Sequence, residues 1–497
     1  MLKDEKLYKA LVALRNEVKL EGDQTYQKWQ LHIERDNYHE SALNLAYYLA
    51  LRRRDIRELQ ASLSPYGLSS LGRSEAKTLE NLDAVIRTLG TVLGEVNYDP
   101  SEVSETMFYE GANNLQKNTL ELFDKIPDHR NTAILVTLSR EVASSEKMLK
   151  RLFKAGMNMA RVNCSHDNEE VWGEMIRNVK KVSQELDCPC RILMDIAGPK
   201  TRIKALYTSI QRPRVRVGDR IFLTGEELLR PFYGASIVLQ SSIPDIIPIL
   251  KEGAAVLIDD GMVETYVCGV YPEGVMLEVK HILSEGSVRL RAEKGLNFPL
   301  SNQSFPILTE KDLRDLPFVA EHADIIAISF VRNASDIRKF QKHLVECIGL
   351  EQARKKGIMA KIETVEGANN LPEIIVAGAA KNPFSIMIAR GDLAVEAGYM
   401  RLAELQEEIL WLCEAAQVPV VWATEILSSL VKTGIPTRAE VTDAAMAGRA
   451  EGAMLNKGKY IVEGVQVLDN ILTRMVDHQY KKTPRLRALS LAELREL

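Results

Sequence analysis

The stretch GIMAKIETVEG, residues 357–367, joins a short apolar run to charged side chains and then to a helix-like segment. The run 357–362 has the length and composition of a buried β-strand. Lys361 and Glu363 stand where this strand would end. The pattern predicts a strand–helix unit that carries polar residues at the carboxyl end of its strand.

The same pattern recurs along most of the chain. Helix-like stretches follow further apolar runs at 133–138, 158–163, 191–196, 324–329, 385–390, 419–424 and 452–456. Together with the first unit, these make the number of strand–helix units that a (β/α)8 barrel needs. We therefore predict an α/β fold, a TIM barrel, formed by residues 129–204 and 296–478.

Three other regions have different patterns. Residues 1–128 show helical spacing of apolar residues and predict an N-terminal helical domain, in which Ser74 is a candidate helix N-cap. Residues 205–295 alternate short β-type runs with glycine-containing turns and predict a small β domain inserted after the third barrel strand. Residues 479–497 predict a C-terminal tail with at most a short helix.

Composition excludes several classes of protein. The net charge of −4 gives no reason to expect nucleic acid as a partner. The N-terminus has no apolar core of a signal peptide, and no apolar run has the length of a membrane span. Six scattered cysteines do not form a disulfide framework and fit a reducing compartment. We expect a cytoplasmic protein with no membrane partner.

Polar residues cluster where five of the predicted strands end. Because active sites of such barrels lie at the carboxyl ends of the strands, we expect these side chains to meet at one rim. They are Arg161, Asn163, Ser165 and His166 after the second strand, Asp195, Lys200 and Arg202 after the third, Lys361 and Glu363 after the fifth, Arg390, Gly391 and Asp392 after the sixth, and Thr424 after the seventh.

The residue types indicate the chemistry. Glu363 and Asp392 follow adjacent strands, so their carboxylates can share one hard cation, and Mg²⁺ completes such a shell with water and substrate oxygens. Arg161, Arg202 and Lys361 would stabilise an anionic, phosphorylated substrate and the charge that spreads in phosphoryl transfer. The chain has no GxxxxGK[ST] motif, so a nucleotide would bind in another way.

Several longer motifs resemble those of the pyruvate kinase family. The resemblance runs from about residue 131 to 475, in the family's order, through GMNMARVNCSH, MDIAGPKTR, VLIDDG, EKGLNFP, LTEKDLRDLPF, ISFVR, KIETVEG, IARGDLAVE, WATEIL and PTRAEVTDAA. It implies the same barrel, with the inserted domain as a small β-barrel that closes as a lid. It also implies transfer of a phosphoryl group from phosphoenolpyruvate to ADP or another nucleoside diphosphate, giving pyruvate and ATP in the last step of glycolysis.

The resemblance assigns roles to individual residues. Lys361 would stabilise the phosphoryl group in the transition state, and Arg161 would contact the phosphate of phosphoenolpyruvate. Glu363 and Asp392 would hold Mg²⁺ or Mn²⁺. Gly391 and Thr424 would bind the enolpyruvate part, with Thr424 on the proton path to the enolate. Arg202 and Lys294 would contact nucleotide phosphates, with Asn163 and His166 nearby.

The resemblance also implies a site for a monovalent cation, with ligands from Asn163, Ser165, Asp195 and the carbonyl of Ile196. Where potassium-dependent members have a glutamate, this chain has Lys200. A fixed ammonium can supply the positive charge of K⁺, so we expect that K⁺ is not required. The alternative is that Lys200 points into solvent.

The chain departs from the family pattern mainly on the nucleotide side. Ser139 and Arg140 replace a Gly-Pro turn, Ala197 replaces a lysine, and the short segment LNKGKYI replaces a longer loop after strand eight. The preferred diphosphate and the rate therefore stay open. We also expect no C-terminal regulatory domain, and a homo-oligomer for which the family's usual tetramer is not assumed.

Two other functions remain as alternatives. One is a Mg²⁺-dependent lyase or decarboxylase of an enolate or keto acid on the same barrel, and the other is a non-catalytic regulator that binds partners through its N-terminal helices. Lys361 and Arg161 favour the kinase over the lyase, which needs neither. The complete set Lys361, Glu363, Asp392 and Thr424 argues against the regulator.

Overall fold

The computed structural model describes residues 4–94, 104–208, 213–299 and 306–487. Eight parallel strands close into a barrel, each hydrogen-bonded to its neighbours along the chain and the last to the first. This confirms the predicted (β/α)8 fold. The strands are β1 Ala133–Thr137, β2 Met159–Asn163, β3 Arg191–Asp195, β4 Ile325–Ile328, β5 Gly357–Ile362, β6 Phe384–Ala389, β7 Val420–Ala423 and β8 Gly452–Leu455.

Helices surround the barrel and precede it. In parallel sheets with covered faces the strands are buried on both sides, which explains their nearly continuous apolar runs. The helices are α1 Asp4–Trp29, α2 His39–Arg52, α3 Arg57–Leu63, α4 Thr78–Leu93, α5 Glu105–Phe123, α6 Glu141–Ser144, α7 Glu146–Ala155, α8 Glu169–Glu185, α9 Glu310–His322, α10 Ala334–Ile348, α11 Leu350–Lys355, α12 Val365–Asn369, α13 Leu371–Ala379, α14 Arg390–Ala397, α15 Tyr399–Ala415, α16 Ser428–Thr433, α17 Arg438–Ala447 and α18 Ile461–Val476.

The interior of the barrel is a packed core. Leu135, Met159 and Met359 fill it with other apolar side chains from the strands. At its lower end, where the strands begin, Phe123 from the end of α5 joins the same cluster and is fully buried. The N-terminal helices therefore supply part of the barrel floor.

The N-terminal helices also have a core of their own, built from α1, α2 and α4. They join the barrel through polar contacts: Asn44 on α2 donates from Nδ2 to the carbonyl of Ala415 at 2.7 Å and to that of Glu75 at 2.7 Å. The Oδ1 atom of Asn44 accepts from the amide of Thr78 at 3.0 Å. This contact corrects the N-cap expectation for Ser74, because α4 begins at Thr78 and its first amide is bonded by another helix.

The inserted β region follows β3. Its main sheet contains seven strands, and the two edge strands approach each other through a bridge between Arg202 and Gly295. In sheet order the strands are Leu296–Asn297, Ala255–Ile258, Val263–Tyr271, Gly274–Ile282, Arg220–Thr224, Ile237–Ser241 and Ile203–Thr208, and Arg214–Val215 pairs separately with Val288–Arg289. Its apolar core is separate from that of the barrel.

After α18 the chain forms a small hairpin, Gln479–Tyr480 with Thr483–Pro484, where a tail was expected. Its Lys481 pairs with Glu451 just before β8, so the hairpin is tied to the barrel floor. The short helix expected near the C-terminus falls mainly outside the described residues. In the described parts of the chain, no helix is long and apolar enough to cross a membrane.

Replacement of Asn44 tests the junction between the helices and the barrel. Asn44→Ala leaves two carbonyls and one amide without their partner, which costs roughly 1–3 kcal/mol per buried group. We expect calorimetry to show a melting temperature lower by several degrees. Asn113→Ala, at an exposed position on α5, is the control. Equal melting temperatures for the two variants would contradict the assignment.

Candidate active site

Lys361 lies at the centre of a buried charged cluster at the carboxyl end of the barrel. Its Nζ contacts Ser329 Oγ at 2.8 Å, Glu363 Oε1 at 3.1 Å and Asp195 Oδ1 at 3.4 Å. Burial alone would lower the pKa of Lys361, but the carboxylates of Asp195 and Glu363 outweigh it and the pKa lies above its usual value. The ammonium is therefore held charged inside the protein.

Asp195, the last residue of β3, links Lys361 to Arg161. The guanidinium of Arg161 donates to Asp195 Oδ2 from Nη2 at 2.6 Å and from Nε at 2.8 Å, and from Nη1 to Thr137 Oγ1 at 2.8 Å. Burial would raise the pKa of Asp195, yet the two cations lower it below its usual value. Asp195 therefore stays ionised and positions both cations.

Glu363 follows β5 and is also buried. Its Oε2 accepts from the amide of Phe330 at 2.6 Å, and Phe330 has the unusual φ of +58° that turns this amide inward. Burial raises the pKa of Glu363 above its usual value, Lys361 opposes the shift, and the carboxylate of Asp392 adds to it. Glu363 and Asp392 thus lie close enough to repel each other.

Asp392 lies in the first turn of α14, directly after β6. Its Oδ1 contacts Lys200 Nζ at 2.7 Å, and the same ammonium lies 3.6 Å from Asp260 in the inserted region. Burial would lower the pKa of Lys200, but Asp392 chiefly raises it. The side chain of Lys200 is 20% exposed, so the alternative of a solvent-directed lysine is wrong.

The donor set of Glu363 and Asp392 fits Mg²⁺. Both ligands are hard carboxylate oxygens, and their mutual repulsion would be relieved by a shared cation. Among the described residues, no group of three or more histidine, cysteine, aspartate or glutamate residues is arranged to hold a metal ion. The remaining ligands of an ion bound here would therefore be water and substrate.

Thr424 and Gly391 meet at the ends of β6 and β7. The amide of Gly391 donates to Thr424 Oγ1 at 2.8 Å, and Thr424 has a φ of +63°. Arg390 supports this turn by donating to the carbonyl of Ala423 at 2.9 Å and to that of Thr424. Arg390 in turn contacts Asp443 on α17, so a helix behind the site holds the backbone of the Thr424 turn.

The residues expected at the monovalent cation site form hydrogen bonds and ion pairs with other residues of the protein. Asn163 Oδ1 accepts from the amide of Ser165 at 3.1 Å, and the carbonyl of Ile196 accepts from Ser329 Oγ at 2.9 Å. Asp195 faces Arg161 and Lys361. The ion pairs of Lys200 within the described residues go to Asp392 and Asp260, not to Asp195.

The residues expected on the nucleotide side lie further out. Arg202 donates to the carbonyl of Glu293 at 2.9 Å, and Lys294 pairs with Asp259 at 2.8 Å, both within the inserted region. Burial lowers the pKa of His166, and the cations of Lys457 and Arg202 lower it further. The structure therefore brings His166 near Arg202, while Lys294 pairs with Asp259 inside the insertion.

A cavity of about 450 Å³ lies between the segments that follow β1 and β8. Leu138, Ser139, Met148 and Lys457 line it, together with Lys459. These are the two segments in which the sequence departs from the family pattern. Its lining is mainly apolar, with Lys457 and Lys459 as basic residues and Glu141 as an acidic one.

Sequence reasoning missed several residues that shape the site. Ser329 directly follows β4, so its position at a strand end was a usable signal. Phe330 contributes only its backbone amide, and Asp443 acts from a helix far along the chain. Thr137 ends β1 and holds Arg161. Phe330 and Asp443 lie in the motifs ISFVR and PTRAEVTDAA, but nothing in their local sequence indicates which distant partners they contact.

Comparison with known proteins finds a family for most of the chain. A family model described as pyruvate kinase, barrel domain, matches residues 129–465. Pyruvate kinase of Chlamydia muridarum is 33% identical over 348 residues, which cover 69% of this chain and 68% of that protein. Pyruvate kinase PKLR of Homo sapiens is 34% identical over 352 residues, 68% of this chain and 58% of that protein.

Pyruvate kinase of Bacillus licheniformis is 32% identical over 353 residues, which cover 69% of this chain and 57% of that protein. The chain thus spans less than two thirds of the human and Bacillus relatives. The matched segment contains the whole barrel with the charged cluster at its carboxyl end, and by this match the chain belongs to the pyruvate kinase family.

Proposed function

We propose that the protein transfers a phosphoryl group from phosphoenolpyruvate to a nucleoside diphosphate, giving pyruvate and a nucleoside triphosphate. The observation that carries the proposal is the ammonium of Lys361, held charged between Asp195 and Glu363 at the barrel mouth. Such a preorganised cation stabilises charge on a phosphoryl group in flight without reorganisation of solvent.

Arg161 would bind the phosphate of phosphoenolpyruvate. Three of its five N–H groups are used by Asp195 and Thr137, so two remain to donate to a ligand. Its side chain is 11% exposed, so its contact with an anion would be shielded from water. Ser329 limits the movement of Lys361, which keeps the two cations aimed at the same region.

Glu363 and Asp392 would hold Mg²⁺ or Mn²⁺, which supplies Lewis-acid polarisation of substrate oxygens when bound. Thr424 would donate its hydroxyl proton toward the enolate carbon. Its Oγ1 already accepts a hydrogen bond from the amide of Gly391, so its proton is available to a ligand. Gly391 itself offers a close approach to the enolpyruvate part.

For the nucleotide we propose the side of the mouth that contains Asn163, His166, Arg202 and Lys294. Arg202 and Lys294 would turn to its phosphates, and the 450 Å³ cavity beside Ser139 would receive its base. Because these segments differ from the family pattern, the choice among nucleoside diphosphates is specific to this chain. We also propose that the protein is cytoplasmic and forms a homo-oligomer.

The two alternatives explain less of the site. A lyase acting on an enolate would use the carboxylates and the metal but not the cationic pair Lys361 and Arg161. A non-catalytic relative would not need a lysine kept charged by two buried carboxylates, since such groups are costly to bury. A coupled assay for pyruvate with ADP, GDP and other diphosphates distinguishes all three.

Lys361→Met tests the central role of the ammonium. We expect kcat for pyruvate formation to fall on the order of 10²–10⁴-fold, because one preorganised charge stabilises the transition state by several kcal/mol. Lys355→Met, at an exposed position on α11, is the matched control and should keep the wild-type rate. A Lys361→Met enzyme of wild-type speed would refute the role.

The requirement for K⁺ gives a second test. We expect the wild-type rate in buffer free of K⁺ to change less than about twofold on addition of K⁺, because Lys200 already brings a fixed positive charge to the mouth. The variant Lys200→Glu should depend on K⁺. A many-fold activation of the wild-type protein by K⁺ would contradict this expectation.

Lys200 also competes with a metal ion for Asp392. In Lys200→Met the carboxylate loses its ammonium partner, so we expect Mn²⁺ to bind about tenfold more tightly, as measured by electron paramagnetic resonance of free Mn²⁺. Lys204→Met, at an exposed position in the insertion, is the control. Unchanged or weaker Mn²⁺ binding by Lys200→Met would show that the ion pair does not oppose metal binding.

A further inference from the structure

Another cavity lies at the opposite end of the barrel from the mouth. It has a volume of about 420 Å³ and is formed by the N-terminal helices, the end of α15 and the C-terminal hairpin. Glu414 lies in the last turn of α15, and this helix ends just before β7 begins. The cavity is therefore at the end of the barrel where the strands start. We call it the basal cavity and define it by Arg73, Lys77, Phe108, Glu414, Tyr480 and Arg485.

Basic residues outnumber acidic ones around the basal cavity. Arg73, Lys77, Lys482 and Arg485 line it, against Glu75 and Glu414. Lys482 is paired with Glu75, which removes one charge of each sign. Within the described ranges of the chain, neither Arg73 nor Lys77 forms an ion pair. The free cavity therefore presents more positive charge than its own carboxylates neutralise.

The ammonium of Lys77 is only partly compensated by the carboxylates of Glu414 and Glu75. It is half-buried, and burial, followed by the neighbouring guanidinium of Arg73, lowers its pKa below the usual value of a lysine. Its Nζ lies 3.7 Å from the ring centre of Phe108 and 5.3 Å from that of Tyr109. Aromatic faces stabilise a cation only partly, so an anion beside Lys77 would remove the remaining cost.

Glu414 only partly offsets the positive charge of the cavity near neutral pH. Burial raises its pKa to about 7, so this carboxyl is partly protonated there. A partly protonated Glu414 neutralises Lys77 and repels an incoming anion less than a full carboxylate would. The other carboxylate is Glu75, which Lys482 and the hydroxyl of Tyr48 already occupy.

We propose that the basal cavity is a binding site for a small phosphate monoester. A dianionic phosphate matches the neighbouring cations Arg73 and Lys77, which form no ion pair within the described residues and whose N–H groups can share its oxygens. A monoester with a flat group also matches the rings of Phe108 and Tyr109 beside them. The volume suits a molecule of small metabolite size.

Such a ligand would connect two parts of the protein. Arg73, Lys77 and Phe108 belong to the N-terminal helices, whereas Glu414 belongs to the barrel and Tyr480 to the hairpin that follows it. A molecule that contacts both sides is bound only when they are docked. By linkage, its binding stabilises the docked arrangement and raises the melting temperature.

The test compares binding of phenyl phosphate, inorganic phosphate and phenol by calorimetry to three forms of the full chain. They are the wild type, the variant Arg73→Ala with Lys77→Met, and a control variant, Arg177→Ala with Lys180→Met, that removes the same charges from the exposed face of α8. Binding at the mouth is common to all three and cancels in the comparison.

We expect phenyl phosphate to bind the wild type and the control alike and to raise their melting temperatures. The Arg73→Ala, Lys77→Met protein should bind it at least about tenfold more weakly. Inorganic phosphate should bind more weakly than phenyl phosphate, and phenol should not bind. Exchange of the charges, Arg73→Lys with Lys77→Arg, should restore most of the affinity, which a mere folding defect would not allow.

Three results would overturn the proposal. One is equal affinity of the wild type and the Arg73→Ala, Lys77→Met variant for phenyl phosphate. Another is equal binding of phenol and phenyl phosphate, which would show that the anion is not recognised. The third is affinity for inorganic phosphate as high as for the ester, which would make the site one for a bare oxyanion.

Discussion

The mouth of the barrel depends on the mutual neutralisation of four buried charges. Arg161 and Lys361 face Asp195 and Glu363 at 2.6–3.4 Å. Removing any one charge from such a set leaves another buried without a partner, which costs on the order of 3–5 kcal/mol. The network therefore tolerates the loss of none of its four charges. The strands that contribute these residues must end at the same level along the barrel axis.

The network also explains how the site can be both stable and reactive. In the free protein each cation is held by carboxylates, so little solvent must be reorganised when an anion arrives. The anion competes with Asp195 and Glu363 for the N–H groups of Lys361, whereas Arg161 can offer it the two N–H groups that Asp195 and Thr137 leave free. The ammonium of Lys200 is likewise held by the carboxylate of Asp392. Its contact with Asp260 extends the charged cluster to the inserted region.

Most of the barrel, but less of the site, could be predicted from the sequence. The eight strands were found because a parallel strand covered on both faces needs an almost unbroken apolar run, and the polar residues that interrupt it fall at strand ends. What escaped prediction is fixed by distant partners. Asp443 reaches Arg390 across 53 residues, and the turn at Phe330 exists because Glu363 accepts its amide. The start of α4 was misplaced for the same reason, since Asn44 on another helix bonds its first amide.

The floor of the barrel ties these observations to the N-terminal helices. A barrel strand that begins at Gly357 has no side chain there, and a β-carbon at this position would lie 2.8 Å from a methyl group of Leu122 on α5. Gly452 begins β8, and a β-carbon there would lie 3.0 Å from Val421 on β7 and 3.5 Å from Phe123. Glycine at the start of β5 is thus what lets α5 pack against the floor. Strand β5 begins at Gly357, where the N-terminal helices pack, and carries Lys361 near its other end. One strand therefore connects the packing of these helices with the geometry of the mouth.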